Sequence, residues 1–140
     1  MLTNTTSSCG DTTFKTGKGF LQGGVLSPTL FNVYIDTLLL KLDELDATIL
    51  AFADDLVNTT EGEIELFKGM ELIRAWSRDY NIEINNDKSA ILQVRYDKRA
   101  RTPSYSHIKG IPLKTSYTYL GIIIDDCVTF KLQKDQIKKL

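Results

Sequence analysis

The stretch that most constrains this chain is Ile49-Leu50-Ala51-Phe52-Ala53-Asp54-Asp55-Leu56-Val57, where two adjacent carboxylates interrupt two short apolar runs. The runs have strand length and an Asp pair lets the backbone turn tightly, so the pattern predicts a β-hairpin with two acids at its apex. Successive residues of an extended chain point to opposite faces. Asp54 and Asp55 therefore aim the same way only if the turn rotates them, and at least one faces a site. Taken alone, an Asp pair in a turn is commonplace turn chemistry, and its neighbours decide its weight.

Upstream, Gly23 and Gly24 remove side chains where a backbone approaches something closely or takes positive φ. Ser27-Pro28 then supplies a capping hydroxyl and a first-turn proline. A helix from Pro28 to about Leu42 follows, with Leu30, Phe31, Val33, Tyr34, Leu38 and Leu42 at core spacing. Downstream, Thr60-Glu61-Gly62-Glu63 has the form of a capping box. Ile64, Phe67, Met70, Ile73, Trp76 and Tyr80 then recur every three or four residues, which predicts a helix over 61–80 with Trp76 in the core and Asn81 as its stop. Ile82-Glu83-Ile84 and Ala90 to Val94 read as strands around a turn at Asn85 to Asp87, with Lys88 at that turn. Ile108 to Leu113 reads as a short hairpin, Tyr117 to Asp125 as a second β element, and Phe130 onward as a helix start.

The ends are less informative. Met1 to Ser8 is rich in Thr, Ser and Asn and is expected to fray, and Asp11 to Phe20 to form a strand pair ending in a glycine turn. The expected organisation is a frayed lead over 1–16, one domain over 17–125 and a helix start over 126–140.

A chain of 140 residues is long enough to bury a core without staples. Cys9 and Cys127 lack CxxC spacing, and no apolar run has membrane-spanning length, so the expectation is a reduced intracellular protein, nuclear or cytoplasmic, with no membrane partner. His107 has too few Cys or His companions for a zinc site. The net charge of −1 conceals an uneven distribution: residues 1–87 carry 6 Lys and Arg against 14 Asp and Glu, and residues 88–140 carry 11 against 4. An acidic half beside a basic half suits a chain that holds metal ions with one and phosphates with the other, although a solvated charge mosaic gives the same figures. The basic loop from Arg95 to Ser106 is one candidate for phosphate contact.

Gly19 to Asp36, reading Gly-Phe-Leu-Gln-Gly-Gly-Val-Leu-Ser-Pro-Thr-Leu-Phe-Asn-Val-Tyr-Ile-Asp, followed by the Phe-Ala-Asp-Asp hairpin, resembles the reverse transcriptases of non-LTR retroelements. In that family a QGxxLSPxLFNxYI stretch and an aromatic-Ala-Asp-Asp hairpin follow each other in this order within the palm of a right-hand polymerase. Asn85 to Ser89 looks like the family's next element, and Tyr119-Leu120-Gly121-Ile122 like its primer grip. The resemblance runs from about Gly17 to Asp125. Two departures are Leu21, where many relatives have Pro, and Gly24, where many have a polar residue.

The resemblance implies an α+β fold: a palm-like antiparallel sheet, including the hairpin and the Ile82 to Val94 strands, backed by two helices. Fingers and thumb are expected to be absent. It implies template-directed DNA synthesis with an RNA template, a DNA primer and dNTPs as partners and two Mg²⁺ ions as cofactors. By the same resemblance Asp54 and Asp55 hold metal, Gln22, Gly23, Gly24 and Phe52 contact nucleotide and template, Lys88 assists the departing pyrophosphate, and Tyr119, Leu120 and Gly121 grip the primer. The family's earlier aspartate, which bridges both metals, has no counterpart in the roughly 20 residues before Gln22, so this piece is expected to be inactive alone. A non-catalytic nucleic-acid-binding remnant and a subunit completed by another chain remain alternatives.

Overall fold

The computed structural model describes residues 5–9, 11–16, 19, 23–95 and 107–139. Thr5–Cys9 (β1) and Thr12–Thr16 (β2) pair antiparallel, in a segment whose composition predicts fraying. Its threonines are β-branched and favour extended pairing. The chain divides into two units, residues 1–83 and 84–140.

In the first unit, Ser27–Leu42 (α1) starts one residue earlier than expected, with Pro28 in its first turn. Leu26 occupies the capping position and supplies no side-chain bond, so Ser27 is a helical residue and not the cap. Ala47–Phe52 (β3) and Asp55–Thr60 (β4) form the hairpin, and Glu63–Tyr80 (α2) follows. Gly62 caps α2 in extended geometry. Thr60 Oγ1 donates to the Gly62 carbonyl at 3.1 Å, so the expected capping box does not form.

The core is where α1, α2 and the hairpin meet: Leu38, Leu42 and Trp76 are buried, with Tyr34, Ile35, Leu45, Ile49, Leu56, Leu72, Ile73, Tyr80 and Ile82 packed around them. Full burial of a Leu or Met side chain contributes about 1.5–3 kcal/mol. Trp76 is the hub, as its position in the α2 stripe predicts. Its ring meets Tyr34 edge-on at 5.4 Å and Tyr80 at 5.1 Å, and its Nε1 donates to Thr37 Oγ1 at 2.8 Å, so the indole enters the core without an orphaned N–H. Tyr34 donates to the Tyr80 carbonyl, and burial, then the nearby Tyr80, pushes its phenol above its ordinary range. Not every apolar position of α1 is core: Leu30 and Val33 are 50% and 66% exposed, Leu30 one turn before Tyr34 on the same side and Val33 turned away from Leu38. Periodicity finds apolar residues but does not separate two apolar faces on one helix.

Asn81 closes α2 in the left-handed region, and the Ile82 N–H reaches the Ser77 carbonyl at 2.9 Å while Ser77 Oγ donates to the Ile82 carbonyl at 2.6 Å. This is a Schellman-type closure. It occupies both main-chain groups of Ile82 and draws its side chain into the core, so the strand expected at Ile82 to Ile84 does not form.

In the second unit, a 3-10 turn at Asn86–Lys88 leads to Ile91–Leu92 (β5), shorter than the Ala90 to Val94 strand expected. His107–Ile108 (β6) and Ile111–Lys114 (β7) form the expected hairpin, and Ser116–Tyr119 (β8) and Ile122–Asp125 (β9) a second. Lys131–Ile137 (α3) follows. The single antiparallel sheet does not occur among the described residues: β3 and β4 form a two-stranded sheet, and β5 pairs parallel with β7. The fold is α+β, assembled from several small sheets.

Behind β9 lies a compact polar knot. Asp125 is buried and accepts from the Cys127 and Thr129 N–H groups, each at 3.0 Å, and from Thr129 Oγ1 at 2.8 Å. The Thr129 N–H is the leading cause that holds its carboxyl below the ordinary range, against the opposing effect of burial. Asp126 pairs with the Arg95 guanidinium, its carbonyl accepts from the Arg95 N–H at 2.7 Å, and its N–H donates to Thr115 at 2.8 Å.

Candidate active site

The hairpin turns in two residues, Ala53 and Asp54, between the paired Phe52 and Asp55. Two-residue hairpins favour turns whose first central residue has positive φ, and Ala53 sits at φ +51°. For an L-residue that geometry costs roughly 1–2 kcal/mol. A strained Ala immediately before Asp54 is the local consequence of so tight a turn, and such strain concentrates at functional sites.

Ile49 and Leu56 face the core, so strand alternation puts Leu50, Phe52, Asp55 and Val57 on the opposite face of the hairpin. Phe52 is 63% exposed and Asp55 stands across from it, while Asp54 occupies the turn itself. Both carboxylates are exposed, and neither takes a hydrogen bond or ion pair from another described residue.

On the inner face the hairpin carries Asn58, whose amide N and O are buried without partners among the described residues. It lies against Gly69 of α2, where an added Cβ would come within 2.3 Å of Asn58 Nδ2. Gly69 is what lets β4 approach the helix here.

Of the other anticipated residues, Gln22 lies outside the described residues, as does the basic stretch 96–106. Gly23 and Gly24 are in the turn that precedes α1. Lys88 is exposed at the end of the 3-10 turn, whose Asn85 side chain accepts from its N–H at 3.1 Å. Tyr117 of β8 donates its hydroxyl to the Lys88 carbonyl, which brings Lys88 together with the hairpin that carries Tyr119, Leu120 and Gly121. Leu120 and Gly121 form that hairpin's two-residue turn, both at positive φ, so Gly121 has a backbone reason to be glycine. Asp54 and Lys88 lie in different units. Sequence reasoning missed Tyr117; its place three residues after Lys114, at the start of a strand, was the available signal.

As a metal site the hairpin is partial. Two exposed carboxylates are the hard oxygen donors that Mg²⁺ takes, but no group of three or more His, Cys, Asp or Glu forms a metal-holding cluster among the described residues. Nor is any described helix long and apolar enough to cross a membrane.

The chain is 29% identical over 125 residues to the RNA-directed DNA polymerase from mobile element jockey of Drosophila melanogaster, covering 80% of this chain and 13% of that protein. The probable RNA-directed DNA polymerase from transposon X-element of the same species is 27% identical over 86% of this chain and 14% of its own length. A Pol polyprotein from a type-1 retrotransposable element R1 of Nasonia vitripennis is 25% identical over 80% of this chain and 30% of its own. The chain thus spans less than a third of the length of each of these relatives. No solved structure matches it. The hairpin acids, the helix entered through Ser27-Pro28 and the Lys88 turn all fall within residues 1–124, which match the model of one family, and by that match the chain belongs to the family of reverse transcriptases (RNA-dependent DNA polymerases).

Proposed function

We propose that this chain is part of the palm of a retroelement reverse transcriptase, and that Asp54 and Asp55 are metal-holding carboxylates for nucleotidyl transfer from dNTPs to a DNA primer on an RNA template. The observation that carries this reading is an exposed acid pair, without a bonded partner among the described residues, at a strained two-residue turn. Carboxylates kept for internal bonding acquire donors, whereas these two retain their oxygens for something from solution.

Asp54 and Asp55 would hold closely spaced Mg²⁺ ions, which would supply charge stabilisation for the primer hydroxyl and the triphosphate. Asp54, at the turn, is the more direct ligand. Asp55, beside Phe52, is the second or supporting one, and the Phe52 ring offers an apolar surface next to it. Gln22, Gly23 and Gly24 are assigned to nucleotide and template, Lys88 to the leaving pyrophosphate, and Tyr119 to Gly121 to the primer backbone. Ions this close repel strongly, and two carboxylates fall short of the oxygen ligands that a pair of ions requires. The 140-residue chain alone is therefore expected to bind one divalent ion weakly and to give background incorporation.

The test uses Mn²⁺ as a paramagnetic probe, followed by dNTP incorporation on a primed RNA template. Asp54→Asn and Asp55→Asn should each weaken Mn²⁺ binding without unfolding the chain; unchanged binding would remove the pair from the metal site. Incorporation by the chain itself that Asp54→Asn abolished would show that the ligand set is already complete. Metal-independent, salt-sensitive binding of nucleic acid with no Mn²⁺ site would favour the non-catalytic binding reading.

A further inference from the structure

Within residues 84–140, Tyr117 touches two segments that carry cations. Its hydroxyl donates to the Lys88 main-chain carbonyl, which ties the 3-10 turn to β8. Its ring lies under the ammonium of Lys114, with Nζ 5.7 Å from the centroid, within the range of a cation–π contact. Lys114 ends β7 beside Leu92 of β5, so it sits at the mouth of the same sheet that the Lys88 turn feeds.

Beside β7 and β8 the carboxylates are engaged, whereas Asp87, next to Lys88 in the 3-10 turn, is exposed. Asp126 pairs with Arg95, and Asp125 accepts from Cys127 and Thr129. Lys88 and Lys114 are both exposed, and neither makes an ion pair with a described residue. Tyr117 thus contacts the main chain of Lys88 and the ammonium of Lys114, two residues 26 positions apart in sequence.

We propose that Lys114, seated on Tyr117 beside the Lys88 turn, is a phosphate-binding subsite for a nucleic-acid strand, in which Lys114 is the cation that meets the phosphate and Tyr117 the positioning residue, while Lys88 keeps its assignment to the pyrophosphate. This rests on the proposed contact between the chain and nucleic acid, and adds a residue-level site to it. A lysine ammonium is a flexible point charge, and seating one on an aromatic face reduces the freedom it loses on meeting a phosphate. Contacts of this kind hold the backbone and carry no sequence information. The subsite is expected to bind unrelated sequences alike.

The experiment is fluorescence anisotropy of the 140-residue chain with a short single-stranded DNA oligonucleotide over a salt series. Each phosphate contact contributes about 0.7 to the slope of log affinity against log salt on a single strand. Lys114→Gln should lower the slope by about 0.7, Lys114→Arg should keep it, and Lys41→Gln on α1 should leave it unchanged. Tyr117→Leu removes both contacts and should lower affinity, whereas Tyr117→Phe keeps the ring and should do so less. If a Tyr117 variant loses its circular dichroism spectrum, Lys114→Gln, at an exposed side chain, decides alone. Wild-type binding with an unchanged slope in Lys114→Gln would overturn the subsite while sparing the wider reading. Salt-independent or absent wild-type binding would overturn both.

Discussion

The chain contains two Asp-Asp pairs that end differently. Asp125 and Asp126 are taken up by the polypeptide: three donors converge on the first carboxylate and a guanidinium on the second. Asp54 and Asp55 stand in solvent, at a turn that costs backbone strain, and their carboxylates take no bond from another described residue. The same dipeptide is a structural fastener in one unit and an open donor set in the other. What separates them is the chain after the pair. Thr129, four residues on, folds back to cap Asp125, whereas Leu56 and Val57 continue directly into a strand and leave no donor to return.

The largest test of this contrast is Arg95→Leu. Removing one member of a mostly buried ion pair strands the other, and for a fully buried pair the cost is 3–5 kcal/mol. Arg95 and Asp126 keep some solvent contact, so a loss of about 2–3 kcal/mol in urea denaturation is expected. A change below the error of the midpoint would mean that Asp126 is no more committed than Asp54.

Asp125 should leave a pH signature in stability. Its folded pKa is depressed, so its contribution is fully present above the ordinary carboxylate range and is lost as pH falls through the folded value. Urea midpoints should therefore decline on the acid side of about pH 4, and Asp125→Asn should flatten that limb while lowering the midpoint at pH 7 by less than Arg95→Leu does. An acid limb that survives Asp125→Asn unchanged would assign it to other carboxylates.

Asn58 is a third case, a polar group buried without a partner among the described residues. Gly69→Ala adds about 1 kcal/mol of helix propensity, but its methyl would collide with Asn58 Nδ2, and overpacking costs about 1–3 kcal/mol. A net loss of roughly 1 kcal/mol is expected. In an Asn58→Ala background the same substitution should become stabilising, because the collision and the orphaned amide both disappear. Simple additivity of the two changes would show that Asn58 and Gly69 do not meet.

The parts of the fold that the sequence foretells are those set locally. Pro28, the three-to-four spacing of α2 and Asn81 fix the helices to within a few residues, and the two apolar runs around the Asp pair fix the hairpin. The parts it hides depend on competition between distant groups. Ile82-Glu83-Ile84 alternates like a strand, yet Ser77 claims the main chain of Ile82 first. The parallel pairing of β5 with β7 joins segments about 20 residues apart, with no signal in either. At the site, the identities of Asp54, Asp55 and Lys88 are legible as residue types at turns. The link from Lys88 through Tyr117 to Lys114 is not, because it rests on a side chain reaching a main-chain carbonyl.

The smallest expected effect is the most diagnostic. Asp54→Asn and Asp55→Asn remove charge from exposed positions with no bonded partner among the described residues, so each should change unfolding free energy by no more than about 0.5 kcal/mol. The double variant should be neutral or slightly stabilising, since two adjacent anions repel each other when no cation is bound. Adding Mg²⁺ should reverse the ranking: an ion that binds only the folded wild type raises its stability by mass action, and a variant without the donors gains nothing. The measurement is the urea midpoint of wild type and double variant with and without millimolar Mg²⁺. A destabilised double variant in the absence of metal would mean that the hairpin acids are structural after all, and the contrast with Asp125 and Asp126 would collapse.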